Sequence, residues 1–403
     1  MDAAPREHRS LAKTWVKNTK ENLRPKLLFL LAVAVSLFAS QNSATQAKPT
    51  DQKILVFANF KRLSDKPILG PRAGRFDSAG AFNPAATLLK NGHTVLLYRG
   101  QDAQGVSRIG YAESSNGIDF VADGKAVITP NLDDDKDGVE DARLTRDFKS
   151  SNRDNSCWLA TATAYSKATN SAQLVSYRSS PGDLHHWQRV AVLMPATTAP
   201  NKAGWNIHWT KSGAIVVDSE ARPLKIKNRY WMYYMADARG TSNSDTTNSG
   251  GKMAADQMGI AQSNDGMTWQ DALGRPILPH RPGQFDSRVV EPGPHPIITK
   301  DGILLLYNGG DDSLTYSTGW ALFDKKDPTK LLARCTKAIF EPELAWEKKN
   351  ASSTVHQVPN VVFVEGIVPY KRGYRVYYGS ADSYVGVAYT ELTLLRNPTH
   401  PKN

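Results

Sequence analysis

Several carboxylates stand out by position: Asp77, Asp141, Asp237, Asp286, Glu291, Asp311, Glu365 and Asp382 sit at the ends of aromatic-rich segments or in turns beside glycine. Two opposed carboxylates supply a proton donor and a base or nucleophile, the pair that cleavage of an acetal such as a glycosidic bond requires. A single carboxylate in such a place serves equally well as the cap of a turn. A second acidic run, Asp133-Asp134-Asp135-Lys136-Asp137-Gly138, has the spacing of a calcium loop. Its twelfth position is Leu144 rather than the glutamate such a loop uses, so a solvated acidic loop is favoured over calcium and no metal ligand is assigned.

These side chains act together only if the chain gathers them, and a repeat indicates how. An aromatic-rich strand followed by a second short strand recurs along the sequence: Thr94–Arg99 with Arg108–Ala112, Trp158–Tyr165 with Leu174–Tyr177, Tyr230–Tyr234 with Met258–Ala261, Ile303–Asn308 with Thr318–Leu322, and Tyr374–Gly379 with Val385–Ala388. Asn116-Gly117, Gly182-Asp183 and Asp265-Gly266 follow three of the pairs, each ahead of an aromatic (Phe120, Trp187, Trp269). Such dipeptides supply the positive φ of tight hairpins. No segment beyond the N-terminus sustains a 3.6-residue apolar period, so helices are few. Units of about 65 residues suit four-stranded blades. The expected fold is all-β, a five-bladed β-propeller, with a β-sandwich or two-sheet barrel as the alternative. A propeller collects inner strands around a channel, where a site draws on several blades. The polar run Gly240–Gly251, next to Asp237, reads as a surface insertion, or else as a lid.

The net charge of +11 is unevenly held: residues 1–47 carry seven of the 50 basic and three of the 39 acidic side chains. The remaining excess is scattered, with no basic stripe interleaved with aromatics, which argues against nucleic acid as a partner. Leu27–Ala39 is an apolar run behind Arg24 and Lys26, followed by small polar residues. That is the anatomy of a secretory signal, or of an uncleaved membrane anchor. The expectation is therefore an exported chain, periplasmic or secreted or held at the membrane by this segment: 1–47 signal peptide or anchor, 48–59 linker, 60–395 catalytic domain, 396–403 tail. Cys157 and Cys335 do not make a disulfide framework, and no bridge is assigned.

Set in this order, Phe82-Asn83-Pro84-Ala85, Leu97-Tyr98-Arg99, Ser107-Arg108-Ile109-Gly110, Gly138-Val139-Glu140-Asp141-Ala142-Arg143, Phe285-Asp286-Ser287, Glu291-Pro292-Gly293-Pro294, Pro359-Asn360-Val361-Val362-Phe363 and Tyr378-Gly379-Ser380-Ala381-Asp382 resemble glycoside hydrolase family 130. That family comprises β-mannoside phosphorylases and β-1,2-mannosidases on a five-bladed propeller. The resemblance implies an inverting single displacement in which Asp141 is the acid, its proton passing through a hydroxyl of the bound mannose. It also implies that Asn83, Arg99, Asp286 and Asp382 hold the sugar. The alternative for Asn83 is an Asx turn before Pro84, and for Arg99 and Arg143 a structural ion pair. Ala142 departs from the proline usual in the family, which puts local rigidity in question.

The residues leave two nucleophiles open. Arg108, Arg143 and Lys211 suit inorganic phosphate as a co-substrate, since guanidinium forks match oxyanions. Glu291, in Val289-Val290-Glu291-Pro292-Gly293-Pro294, suits a base that activates water. Export favours the second, because a sugar phosphate conserves energy usefully only inside a cell. The expectation is thus a hydrolase of β-mannosidic oligosaccharides with Asp141 and Glu291 catalytic, needing no cofactor. A phosphorylase and a non-catalytic sugar-binding propeller are the alternatives.

Overall fold

The structure, a computed structural model, describes residues 53–148, 157–169, 171–196, 205–206, 209–237, 256–352, 355 and 357–396. The N-terminal apolar run and the Gly240–Gly251 segment lie outside them. Among the described residues the chain is all-β, with one short 3-10 turn, Ala345–Glu347, as its helical element.

The strands fall into five antiparallel meanders. The first comprises β2 (Gly80–Leu88), β3 (Thr94–Gln101), β4 (Ser107–Ser114) and β5 (Val121–Ile128). The second comprises β6 (Gly138–Arg146), β7 (Trp158–Ser166), β8 (Ser171–Ser179) and β9 (Trp187–Met194). In the third are β10 (Trp209–Ile215), β11 (Tyr230–Asp237), β12 (Asp256–Ser263) and the two-residue β13 (Gln270–Asp271). In the fourth, β14 (Val289–Pro292) and β15 (Ile297–Ile298) both pair with β16 (Ile303–Gly310), followed by β17 (Tyr316–Phe323) and β18 (Leu331–Arg334). The fifth is β19 (Phe363–Tyr370), β20 (Gly373–Ser380) and β21 (Tyr384–Arg396), and its outer strand is β1 (Lys53–Arg62) from the other end of the chain. Every expected strand pair is a hydrogen-bonded pair. Part of the expected 48–59 linker is instead β1, because Lys53 pairs with Arg396. Single parallel bridges, Ser107 to Gly138, Ala172 to Trp209 and Asp256 to Val289, join the third strand of one meander to the first of the next.

The aromatic repeat has a packing explanation. Tyr98, Tyr234, Tyr307 and Tyr378 each face a glycine on the neighbouring strand: Gly110, Gly259, Gly319 and Gly386. A Cβ on Gly386 would stand 2.2 Å from Tyr378 Cζ, and one on Gly110 2.5 Å from Tyr98 Cζ, so the ring lies where a side chain would be. Each hydroxyl then donates to a carboxylate: Tyr98 to Asp77 at 2.9 Å, Tyr234 to Asp271 at 3.0 Å, Tyr307 to Asp286 at 2.7 Å and Tyr378 to Glu347 at 2.8 Å. Three of these acids also pair with arginine: Asp77 with Arg72, Glu347 with Arg62, and Asp286 with both Arg281 and Arg334. Each latch ties a loop to the middle of its meander over an apolar cluster.

Asp286, expected to hold substrate, is fully buried and bound by two arginines and a tyrosine, the setting of a structural acid. Removing one member of a buried pair strands the opposite charge at a cost of about 3–5 kcal/mol. Asp286→Ala is expected to lower the unfolding free energy by that order, seen as a lower thermal midpoint, while leaving the affinity of folded protein for its sugar ligand unchanged, which calorimetry and ligand titration on one sample will show.

Candidate active site

The first strands carry a recurring defect. The ladders of β2, β6 and β10 slip between Phe82 and Ala85, Glu140 and Arg143, and Lys211 and Ala214. Inside each slip one polar residue takes a left-handed conformation: Asn83 at φ 48°, Asp141 at φ 54° and Ser212 at φ 55°. Short polar side chains are among those that tolerate this region, and a bulge re-aims the side chain it carries. β19 slips between Val364 and Gly366 around Glu365, and β14 stops just after Glu291 at Pro292. Each meander thus contributes one polar residue from its first strand. β2 packs against β6 and β19, and β10 against β6 and β14, so these residues converge. Asn83-Pro84 adopts the same kind of bulge as Asp141-Ala142, so the bulge accepts either residue after its left-handed position.

The contacts cross from one meander to another. Asn83 Nδ2 donates to Asp141 Oδ1 at 2.9 Å. Arg99 forks, with Nη2 on Glu140 Oε1 at 2.7 Å and Nη1 on Asp141 Oδ1 at 3.3 Å, and its guanidinium lies 4.9 Å over the Phe82 ring. Lys211 Nζ is 3.5 Å from Glu140 Oε2 and 4.8 Å above the Trp209 ring. Ser212 Oγ donates to Glu291 Oε1 across the gap between the third and fourth meanders. Asp382, itself left-handed at φ 46°, accepts the Val358 N–H at 2.8 Å and lies in the field of Arg99, Asp141 and Glu140.

The two proposed catalytic carboxyls are driven apart in proton affinity. Burial alone would raise Asp141, but Arg99, Lys211, Arg143 and the Asn83 hydrogen bond outweigh it and hold Asp141 below the ordinary aspartate range. Glu291 is buried too, and the nearby Asp141 charge adds to the effect; Lys211, Ser212 and Arg143 pull back less, leaving its pKa pushed up to about 7. Asp141 is thus held toward its ionised form and Glu291 toward its protonated form.

Not all the expected residues join this group. Asn83, Arg99, Asp141, Lys211, Glu291 and Asp382 do. Arg108 is turned to Asp102 at 2.6 Å. Arg143 takes the structural role: fully buried, it donates to the carbonyls of Asp141, Pro292 and Gly293 and lies 2.8 Å from Glu365 Oε1. In the suspected calcium loop, Asp134 and Asp135 bind Arg189 and Asp137 faces Lys167. Cys157 and Cys335 are both free. Glu140, Ser212 and Tyr316 escaped notice in the sequence. Tyr316, half-buried and near the charges of Glu291, Asp256, Asp382 and Arg288, is pushed well above the ordinary phenol range, chiefly by desolvation. The signal for Ser212 was its place: Lys211-Ser212-Gly213-Ala214 aligns with Phe82-Asn83-Pro84-Ala85 and Glu140-Asp141-Ala142-Arg143 in the bulge pattern.

The glycoside hydrolase family 130 pattern, described as beta-1,4-mannooligosaccharide phosphorylase, matches residues 71–397. The chain belongs to glycoside hydrolase family 130. Within that family it is 32% identical over 341 residues to a 1,2-beta-oligomannan phosphorylase of Thermoanaerobacter sp. (strain X514), covering 83% of this chain and 97% of the relative. It is 30% identical, with a TM-score of 0.66 over 86% of this chain and 96% of the other, to a solved structure from work stating that the GH130 family of mannoside phosphorylases contains glycoside hydrolases that target beta-1,2 mannosidic linkages in Candida mannan. A beta-1,2-mannobiose phosphorylase from Listeria innocua, in complex with beta-1,2-mannobiose, shares the fold at 22% identity and a TM-score of 0.64 over 83% of this chain and 97% of the other. The oligomannan phosphorylase and the structure from that work each match most of the length of this family 130 chain.

The Ser212 contact generates a test in the free protein. A hydrogen bond to a carboxylate favours its ionised form, so Ser212→Ala is expected to raise the Glu291 pKa above about 7. A carbon-13 carboxyl titration by NMR reads this directly, and an unmoved or lowered midpoint would remove the contact from the account of Glu291.

Proposed function

We propose that the five meanders are the blades of a five-bladed β-propeller, and that this chain splits β-mannosidic oligosaccharides, with β-1,2 links preferred, by phosphorolysis. Phosphate oxygen bonds to the anomeric carbon as the glycosidic C–O bond breaks. The released oxygen takes its proton from Asp141, and the products are mannose 1-phosphate and the shortened sugar. Asn83, Arg99 and Asp382 border the reacting sugar, and Lys211 attracts the phosphate.

The observation that carries this reading is the similarity to the oligomannan phosphorylase, 32% identical over 97% of that relative. Lys211, beside the Glu140 carboxylate and within the field of Asp141 and Glu291, supplies the positive charge that a phosphate needs.

Hydrolysis is the second reading, and two observations favour it. The ionised fraction of Glu291 is a competent base, and the likeness to the structure from the work on hydrolases is equally extensive. Export, proposed from Leu27–Ala39, also suits a hydrolase.

Incubation with β-1,2-mannobiose, with and without phosphate at a fixed dianion concentration, separates the two. Phosphorolysis predicts mannose 1-phosphate only when phosphate is present. It also predicts a rate that falls as pH rises through about 7, because ionised Glu291 repels the incoming dianion. Free mannose formed without phosphate, at a rate that rises through the same pH, would establish hydrolysis instead. Asp141→Asn, which keeps the shape of the side chain, is expected to lower turnover by about 10²–10⁴-fold in either case. Unaltered turnover would remove Asp141 from the chemistry.

A further inference from the structure

Glu365 is a buried acid in the fifth meander that the proposed chemistry does not use. It occupies the slip in β19 that corresponds to the bulges carrying Asn83, Asp141 and Ser212, and its side chain is fully buried. One oxygen lies 2.8 Å from Arg143 Nη1 without hydrogen-bond geometry, and neither oxygen has a hydrogen-bond partner. A buried carboxyl so placed costs stability unless it serves the group it touches.

Arg143 is that group, and its other contacts are all backbone. Nη1 donates to the Asp141 carbonyl at 2.8 Å, Nη2 to the Pro292 carbonyl at 2.9 Å and Nε to the Gly293 carbonyl at 2.8 Å. One planar guanidinium thus fastens the bulge that aims Asp141 to the turn that follows Glu291. The turn has no slack, since a Cβ on Gly293 would sit 2.8 Å from both the Leu306 and the Val364 carbonyl oxygens. Glu365, next in sequence to Val364, fixes where the guanidinium rests.

We propose that Glu365 is a positioning residue for the reacting pair: acting through Arg143, it sets the placement of Asp141 relative to Glu291. Its reach matters rather than its charge. Burial raises its proton affinity, which the neighbouring Arg143 opposes, and the neutral acid presents the same acceptor and donor as an amide. The proposal rests on Asp141 and Glu291 being the reacting pair, so its test includes a measurement that does not depend on turnover.

Two variants separate reach from charge. Glu365→Asp keeps a titratable carboxyl and withdraws it by one methylene, whereas Glu365→Gln keeps the reach and cannot ionise. With β-1,2-mannobiose, E365D is expected to lose roughly 30- to 100-fold in kcat with KM within about threefold, the penalty of a small misplacement in a site of this kind. E365Q is expected to retain kcat within about threefold, its amide oxygen keeping the contact with Arg143. In the free proteins, the Glu291 carboxyl titration should move upward in E365D, as a slackened Arg143 pulls it down less, and stay near about 7 in E365Q. The proposal is overturned if E365Q is as impaired as E365D, if E365D turns over normally, if the loss in E365D lies in KM alone, or if E365Q does not fold. If the titrations behave as stated but wild-type protein turns over no mannoside, it is the reaction that is wrong and the positioning role stands.

Discussion

Each first strand must turn one polar side chain inward without losing its place in a sheet, and this requirement organises the molecule. An ordinary strand alternates its side chains between two faces, so a residue facing the site follows the pleat and has neighbours that face away. A bulge adds one residue, restores the register beyond it and re-aims the side chain it carries. In the first three meanders that residue is Asn83, Asp141 or Ser212, left-handed in every case. In four of the meanders a tyrosine latch ties the second strand to a carboxylate on a neighbouring segment.

The converging side chains create an electrostatic problem that the protein solves by splitting its acids. Arg99, Arg143 and Lys211 share a largely water-free space with Glu140, Asp141, Glu291, Glu365 and Asp382. With all five acids ionised the group would carry excess negative charge, which burial penalises heavily. Burial drives Glu291, Glu365 and Asp382 toward their neutral forms, which lowers that negative charge. Asp141 stays ionised because Arg99, Lys211 and Arg143 all act on it.

How much of this was legible in the sequence follows from the range of each interaction. The strand pairs were legible because their partners are close in sequence and their aromatics recur against glycine, as in Tyr98 with Gly110 and Tyr307 with Gly319. β1 was taken for linker because its partner strand lies at the far end of the chain, Lys53 against Arg396, beyond any local pattern. Asp286 and Asp141 looked alike as acids in short motifs. What separates them is that Arg281 and Arg334 fill every direction around Asp286, whereas Arg99 and Asn83 approach Asp141 from within a site whose sides come from several meanders. Arg143 looked like a ligand for anions because its carbonyl partners, Pro292 and Gly293, are invisible until the first strands are brought together. Glu365 was noticed as an acid, but its partner was not.

The low proton affinity of Asp141 in the empty site is an obstacle for a proton donor, and under the phosphorolytic reading the co-substrate removes it. A phosphate dianion drawn to Lys211 takes one of the cations that hold the proton off Asp141. It also places negative charge near the carboxylate, and both effects raise the affinity of Asp141 for a proton. Glu291, held toward its protonated form and within the field of Asp141, is a nearby group that gains a proton in response to the same anion. Water, which carries no charge, does neither. Under that reading a site whose acid is loaded by the arrival of its nucleophile discriminates between phosphate and water without excluding water sterically, and Arg143, donating to the carbonyls of Asp141, Pro292 and Gly293, ties the bulge that carries Asp141 to the turn after Glu291.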